Sequence, residues 1–152
     1  VRFEAIAPAL GPEPLSDDFT PDVLSQRLGR HSKSLKALLL DQAFVAGVGN
    51  IYADEALHRA GLHPLRPASS LTADEIARLF AAIRAALEDG IEREGASVNW
   101  YRKPDGTSGD AQNHFYVYDR AGQPCLRCGR PIEKIRVAQR GTHYCPDCQP
   151  LA

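Results

Sequence analysis

Apolar residues recur at helical spacing in three separate stretches of the chain. The longest runs Ile76, Leu79, Phe80, Ile83, Leu87 and Ile91, which predicts one long helix ending near residue 93. Thr72 and Glu75 stand at its start in capping-box spacing. A second set, Ile51, Ala53, Ala56 and Leu57, predicts a helix over 51–60 with Asn50 as its cap and Gly61 as its stop. Leu35, Leu38 and Leu39 predict a third over 35–42, capped by Ser34. Thr20-Pro21 signals one more helix start, giving 21–29.

The intervening segments carry breakers. Gly47-Val48-Gly49 forces a turn, and Pro64 with Pro67 keeps 62–70 irregular. Residues 95–113 are rich in Gly, Asn, Asp and Ser, the composition of a long loop, of the kind that is either functional or disordered. From Phe115 the pattern changes to short strands: Phe115–Tyr118, Lys134–Val137 and Thr142–Tyr144. Pro8, Gly11, Pro12 and Pro14 mark a linker. The expected organisation is a linker over 1–20, a helical domain over 21–96, a loop over 97–114 and a small β module over 115–152. The fold class is mainly α with a small β module.

Composition narrows the function classes. The chain has 152 residues and a net charge of −1, so it is no uniformly basic nucleic-acid binder. No apolar run approaches the roughly 18–20 residues of a membrane span, and Val1-Arg2-Phe3-Glu4 is not a leader pattern. Charge is uneven, however. Acidic residues dominate before residue 30, and Arg120, Arg127, Arg130, Lys134, Arg136 and Arg140 make the last third basic. That asymmetry suits a local anionic partner, or cations offsetting a charged metal site.

The cysteines favour a metal. All 4 lie in two Cys-x-x-Cys pairs, Cys125/Cys128 and Cys145/Cys148. This is tetrathiolate zinc spacing, and a β module this small needs a staple. A redox dithiol would need one such pair on a βαβ unit, a pattern not seen here, and the want of a secretion signal argues against disulfides. Four thiolates fill the coordination sphere, so one Zn2+ here is structural.

Two further features admit more than one reading. Ala138-Gln139-Arg140-Gly141 looks like a hairpin turn that presents Arg140. A solvated arginine is the simpler reading, and a bidentate phosphate contact the other. Gly47-Val48-Gly49-Asn50 precedes a helix N-terminus, where exposed N–H groups favour an anion, with Lys36 one short helix earlier. An ordinary interhelical turn fits equally.

Together these residues resemble the formamidopyrimidine-DNA glycosylase and endonuclease VIII family of base-excision repair enzymes, the formamidopyrimidine branch most of all. The resemblance runs from about Leu10 to Gln149. It is carried by Lys36-Ala37-Leu38-Leu39-Leu40-Asp41, by Gly47-Val48-Gly49-Asn50-Ile51-Tyr52-Ala53-Asp54-Glu55, by Tyr118-Asp119-Arg120, and by Gln139-Arg140-Gly141-Thr142-His143-Tyr144-Cys145-Pro146. It implies a helix–two-turn–helix DNA-binding domain followed by a four-cysteine zinc finger. Lys36, Gly49 and Asn50 would then lie at phosphates beside a damaged nucleotide, Arg140 would grip a phosphate from the hairpin, and 97–114 would close over a flipped base. The implied partner is double-stranded DNA with an oxidised base. The implied parent is a monomeric bacterial cytoplasmic enzyme, a bifunctional glycosylase/AP lyase removing oxidised purines.

Family members begin Pro-Glu, and the proline amine attacks the sugar C1′. This chain begins Val1-Arg2. The resemblance therefore implies a C-terminal portion, without a catalytic residue of its own and inactive apart from an N-terminal catalytic domain. The alternative reading is a non-enzymatic zinc-ribbon module docking to nucleic acid or protein. Asp119 stands where the family usually has Gly.

Overall fold

The computed structural model describes residues 11–100 and 115–151. Among the described residues, four α-helices, α1 (Pro21–Leu28), α2 (Leu35–Leu39), α3 (Asn50–Ala60) and α4 (Ala73–Trp100), and a short 3-10 turn (Ala68–Ser70) precede one antiparallel hairpin of β1 (Glu133–Val137) and β2 (Arg140–Tyr144). The caps form largely as the sequence expects. Thr20 accepts from Val23 N at 3.2 Å and Ser34 from Ala37 N at 3.3 Å. Thr72 and Glu75 bond each other's backbone N–H at 2.8 and 3.2 Å. Gly61 ends α3 in the left-handed region, at φ 72°.

One apolar core joins the helices. Leu24, Leu28, Leu35, Leu38, Leu39, Val45, Leu57, Leu79 and Ile83 are all buried within it. The proline-containing segment 62–70 lies beside the start of α2, where the Arg66 and Pro64 carbonyls accept from Leu35 N (2.9 Å) and Lys36 N (3.1 Å). Those amides would otherwise be orphans of the first helical turn. Gly90 lets α3 and α4 approach, because a Cβ there would overlap the Tyr52 ring. The module has only a small cluster of its own: Val117, Ile132, Cys125 and Cys145.

Five expectations need correction. Helix α4 continues to Trp100, so the loop begins later than residue 95. One glycine costs about 1 kcal/mol, which an already nucleated helix absorbs. Residues 101–114 of the expected loop lie outside the described residues. Ile91 is 60% exposed rather than core, since at this turn it is Gly90 that faces Tyr52 of α3. Asn50 is the first residue of α3, not its cap; Gly49 holds the cap position and makes no side-chain cap bond. Phe115–Tyr118 is not a strand, because a carboxylate takes its N–H groups in place of a neighbouring strand. Lastly, β2 starts at Arg140, which pairs with Val137. The turn is therefore Ala138-Gln139 alone, both residues at positive φ (52° and 65°), as two-residue hairpins of the observed twist require.

Candidate nucleic-acid interface and metal centre

Helix α3 presents its apolar face, Ala53, Ala56 and Leu57, to the core. Its neighbouring face is polar and equally buried: Asp54, Glu55 and His58. Each of these three holds a different part of the β module. Asp54 Oδ2 accepts the backbone N–H of His143 at 3.0 Å and lies 3.0 Å from His143 Nδ1. Glu55 accepts three successive backbone N–H groups, from Tyr116 (2.8 Å), Val117 (2.9 Å) and Tyr118 (2.9 Å). Burial pushes the Glu55 carboxyl above its ordinary range, and those three amides pull it back. His58 Nε2 lies 3.5 Å from Cys125 Sγ. Two more ties run from module to body: Arg127 Nη1 donates to the His58 carbonyl at 3.1 Å, and Gln149 Nε2 to the Leu62 carbonyl at 2.9 Å.

Lys36 joins the same junction from α2. Its ammonium is fully buried and donates to Asp54 Oδ1, to the Gly141 carbonyl at 3.2 Å and to Thr142 Oγ1 at 2.8 Å. Burial lowers its pKa while Asp54 raises it, and the charge of Arg140 adds to the lowering. Such a pair adds little net stability after desolvation, but it fixes position. Asn50 Nδ2 donates to that same Gly141 carbonyl, at 3.2 Å. The fold thus gathers Lys36, Asn50 and the base of the Arg140 strand around one carbonyl oxygen, although 91 residues separate Asn50 from Gly141.

What faces outward here is Gly47, Gly49 and Arg140, with Asn50 half-buried and Val48 turned into the core. Gly47 adopts φ 85° and requires glycine. Gly49 does not: its φ is −88°, and an added Cβ would meet nothing within 4 Å. Among the described residues, neither backbone nor packing accounts for a glycine at this exposed position. It leaves the first amides of α3 open to close approach from outside. Arg140 is exposed. Lys36 is not, so it lies behind the surface that Asn50 and Arg140 form.

The four cysteines come together as the spacing predicts. Their sulfurs lie within 4.8 Å of one another, with Cys125–Cys148 at 3.8 Å and Cys128–Cys145 at 3.5 Å. None is in a disulfide. Zinc–sulfur bonds of about 2.3 Å place tetrahedral sulfurs about 3.8 Å apart, so the cluster fits the ion. Arg127 N–H and Cys148 N–H point at the sulfurs of Cys125 and Cys145, both at 3.4 Å. Gly129, at φ 82°, turns the chain out of the first pair. Burial would raise the Cys125 thiol, but the N–H groups of Arg127 and Cys128 hold it at about 7. Burial and its sulfur neighbours push Cys148 up. Four thiols crowded in this way favour a cation over four protons.

Sequence reasoning identified the four cysteines as a cluster, and the structure brings Lys36, Asn50 and the strand of Arg140 together. The same reasoning missed Asp54, Glu55 and His58 as anchors. Asp54 and Glu55 stand in the motif that carries the resemblance, but as polar side chains beside the apolar face of a short helix all three read as a solvated flank.

Comparison with known proteins agrees with this geometry. Residues 10–102 match the formamidopyrimidine-DNA glycosylase H2TH domain, and residues 122–151 match the zinc finger found in FPG and IleRS. The cysteine cluster is the metal site of that finger, suited to one structural zinc. The formamidopyrimidine-DNA glycosylase of Roseiflexus sp. (strain RS-1) is 57% identical over 145 residues, covering 95% of this chain and 53% of that protein. The crystal structure of the Thermus thermophilus protein superposes with a TM-score of 0.82 at 52% identity, over 94% of this chain and 55% of that one. The Lactococcus lactis protein, crystallised in complex with FAPY-dG containing DNA, gives 0.82 at 40% identity, over 93% and 51%. The chain spans about half the length of the curated relatives it matches.

Proposed function

The chain belongs to the formamidopyrimidine-DNA glycosylase family, and on that premise we propose that these residues are the DNA-gripping portion of a base-excision repair glycosylase/AP lyase acting on oxidised purines. The observation that carries the reading is the junction at the Gly141 carbonyl. It locks an open helix N-terminus and an exposed hairpin arginine into one surface. The amides at Gly49 and Asn50, with the Asn50 side chain, take one backbone phosphate, and the Arg140 guanidinium takes another. Lys36 serves from behind, holding the Gly141 carbonyl and the Asp54 carboxylate so that both contacts keep their spacing. Base chemistry needs the flipped nucleotide to be held still while a nucleophile reaches the sugar. A rigid pair of phosphate grips on either side of that nucleotide supplies the holding.

With a net charge of −1, long-range attraction is weak. Binding then depends on these few contacts and falls with salt. The test is fluorescence anisotropy with a duplex carrying an oxidised guanine, across a salt series. Arg140→Ala should weaken binding to all duplexes alike and reduce the salt slope by about one. Asn50→Ala should weaken binding without removing a helix cap, because its side chain is not the cap. Affinity and salt slope unchanged in both variants would overturn the proposal.

A further inference from the structure

One buried group near the metal centre has no part in the DNA grip. His58 is fully buried on α3, with Nε2 3.5 Å from Cys125 Sγ. Its ring stacks on Tyr116 at 5.7 Å and an interplanar angle of 21°, which fixes its plane. Its other nitrogen, Nδ1, is buried and has no partner among the described residues. That asymmetry assigns the proton. With the hydrogen on Nδ1, a buried donor would be wasted and the Nε2 lone pair would face the sulfur lone pairs. With the hydrogen on Nε2, an N–H points at sulfur and only an acceptor is left unfilled, the milder defect.

We propose that His58 is an outer partner of the metal centre, donating its Nε2–H to the Cys125 thiolate and so slowing loss of the zinc. Cys125 then receives N–H donors from His58 and from the Arg127 and Cys128 backbones. Withdrawing charge from the thiolate makes it less basic and less nucleophilic, and therefore harder to protonate, alkylate or pull off the metal. Because the donor belongs to α3, retention of the ion becomes coupled to the helical body rather than to the finger alone. The inference concerns the metal site and does not rest on the DNA-binding reading.

The test compares three zinc-loaded proteins: wild type, His58→Phe and His58→Gln. Phenylalanine keeps an aromatic ring on Tyr116 and removes the N–H; glutamine restores an N–H near the Nε2 position. Zinc release to a chromogenic chelator should be roughly tenfold or more faster in His58→Phe, the scale on which outer partners act, and slowed again in His58→Gln. Alkylation of Cys125, read by peptide mass spectrometry, should follow the same order. Equal release in all three proteins, or equal acceleration in both variants, would overturn the proposal, the latter by reducing His58 to a packing role. Should His58→Phe not fold, wild-type protein loaded with cadmium-113 decides by itself. A through-bond coupling from the metal to the His58 Nε2 proton supports the bond. Its absence, where the Arg127 amide proton shows such a coupling, refutes it.

Discussion

The helical body and the zinc module are held together in opposite ways. In the body, side chains such as Leu24, Leu35, Leu38 and Leu57 lie wholly within one apolar core, each contributing about 1.5–3 kcal/mol by burial. The module has four clustered residues, two of them metal-binding cysteines. It is fastened to the body by named atoms: the Asp54, Glu55 and Lys36 side chains, the Arg127 guanidinium and the Gln149 amide. A surface-area fastening is spread over many residues and degrades gradually. A fastening by directed bonds fails when one partner is removed, because the remaining partner is left buried and unpaired. The same directedness fixes the hairpin against the Gly47–Asn50 turn, through the Gly141 carbonyl that Lys36 and Asn50 share.

The largest effect should follow removal of the metal. Chelation should unfold the module over residues 115–149 while α1, α2, α3 and most of α4 persist, since apparent zinc-binding energies of about 10 kcal/mol or more are folding energy in such fingers. Hydrogen exchange by mass spectrometry should show loss of protection confined to the module. Loss across α1–α3 would show that the body depends on the module, which breaks the contrast.

Next in size is Glu55→Ala. Three amides, that of Val117 buried and those of Tyr116 and Tyr118 half-buried, would lose a charged acceptor, at a cost of about 3 kcal/mol. Thermal unfolding of the zinc-loaded protein should fall accordingly, with exchange at Tyr116, Val117 and Tyr118 the first to rise. Leu28→Ala in the body should cost a comparable 2–5 kcal/mol, roughly speaking, but without that local signature.

A smaller effect belongs to the body. Arg66 grips Glu75 through two bonds of 2.9 Å, and holds its carboxyl down to about 2 with help from Thr72. A depressed carboxylate stabilises the fold above its unfolded value of about 4.5 and loses that contribution as pH falls towards 2. Arg66→Ala should lower stability by about 1 kcal/mol at neutral pH and flatten the acid limb of the helical melting curve. Melts across that pH range, read in the far ultraviolet, check both the loss and its sign.

This division also decides what the sequence could reveal. Helix positions followed from apolar period and caps, because Thr20, Ser34, Thr72 and Gly61 act on neighbours within a few residues. The metal ligands were legible because Cys-x-x-Cys is local chemistry. The attachment was not, because it joins residues far apart. Glu55 meets an amide 62 residues away, and that pairing replaces the strand expected at Phe115–Tyr118. Asn50 stood at a plausible cap position, yet its amide turns to Gly141 instead. Asp119 shows the reverse case. At φ 60° it occupies the left-handed region where relatives were expected to carry glycine, a conformation aspartate tolerates better than most residues.

The smallest effect concerns where strain is kept. Among the described residues, the body places only glycines, Gly47 and Gly61, at positive φ, whereas the module adds Asp119, Ala138 and Gln139. A left-handed non-glycine residue costs about 1–2 kcal/mol, and glycine gives back roughly half of that through its looser unfolded chain. Replacing the tip by the preferred pair, Ala138→Asn with Gln139→Gly, should therefore raise the zinc-loaded melting free energy by about 1 kcal/mol. The gain should vanish once zinc is chelated, because a two-stranded hairpin without the metal does not persist to feel it. Calorimetry of both proteins with and without metal measures the difference of differences. A gain that survives chelation would mean that the hairpin folds on its own strand pairing. The module would then share the self-sufficiency of the helical body, and its tip strain would have no metal to hold it in place.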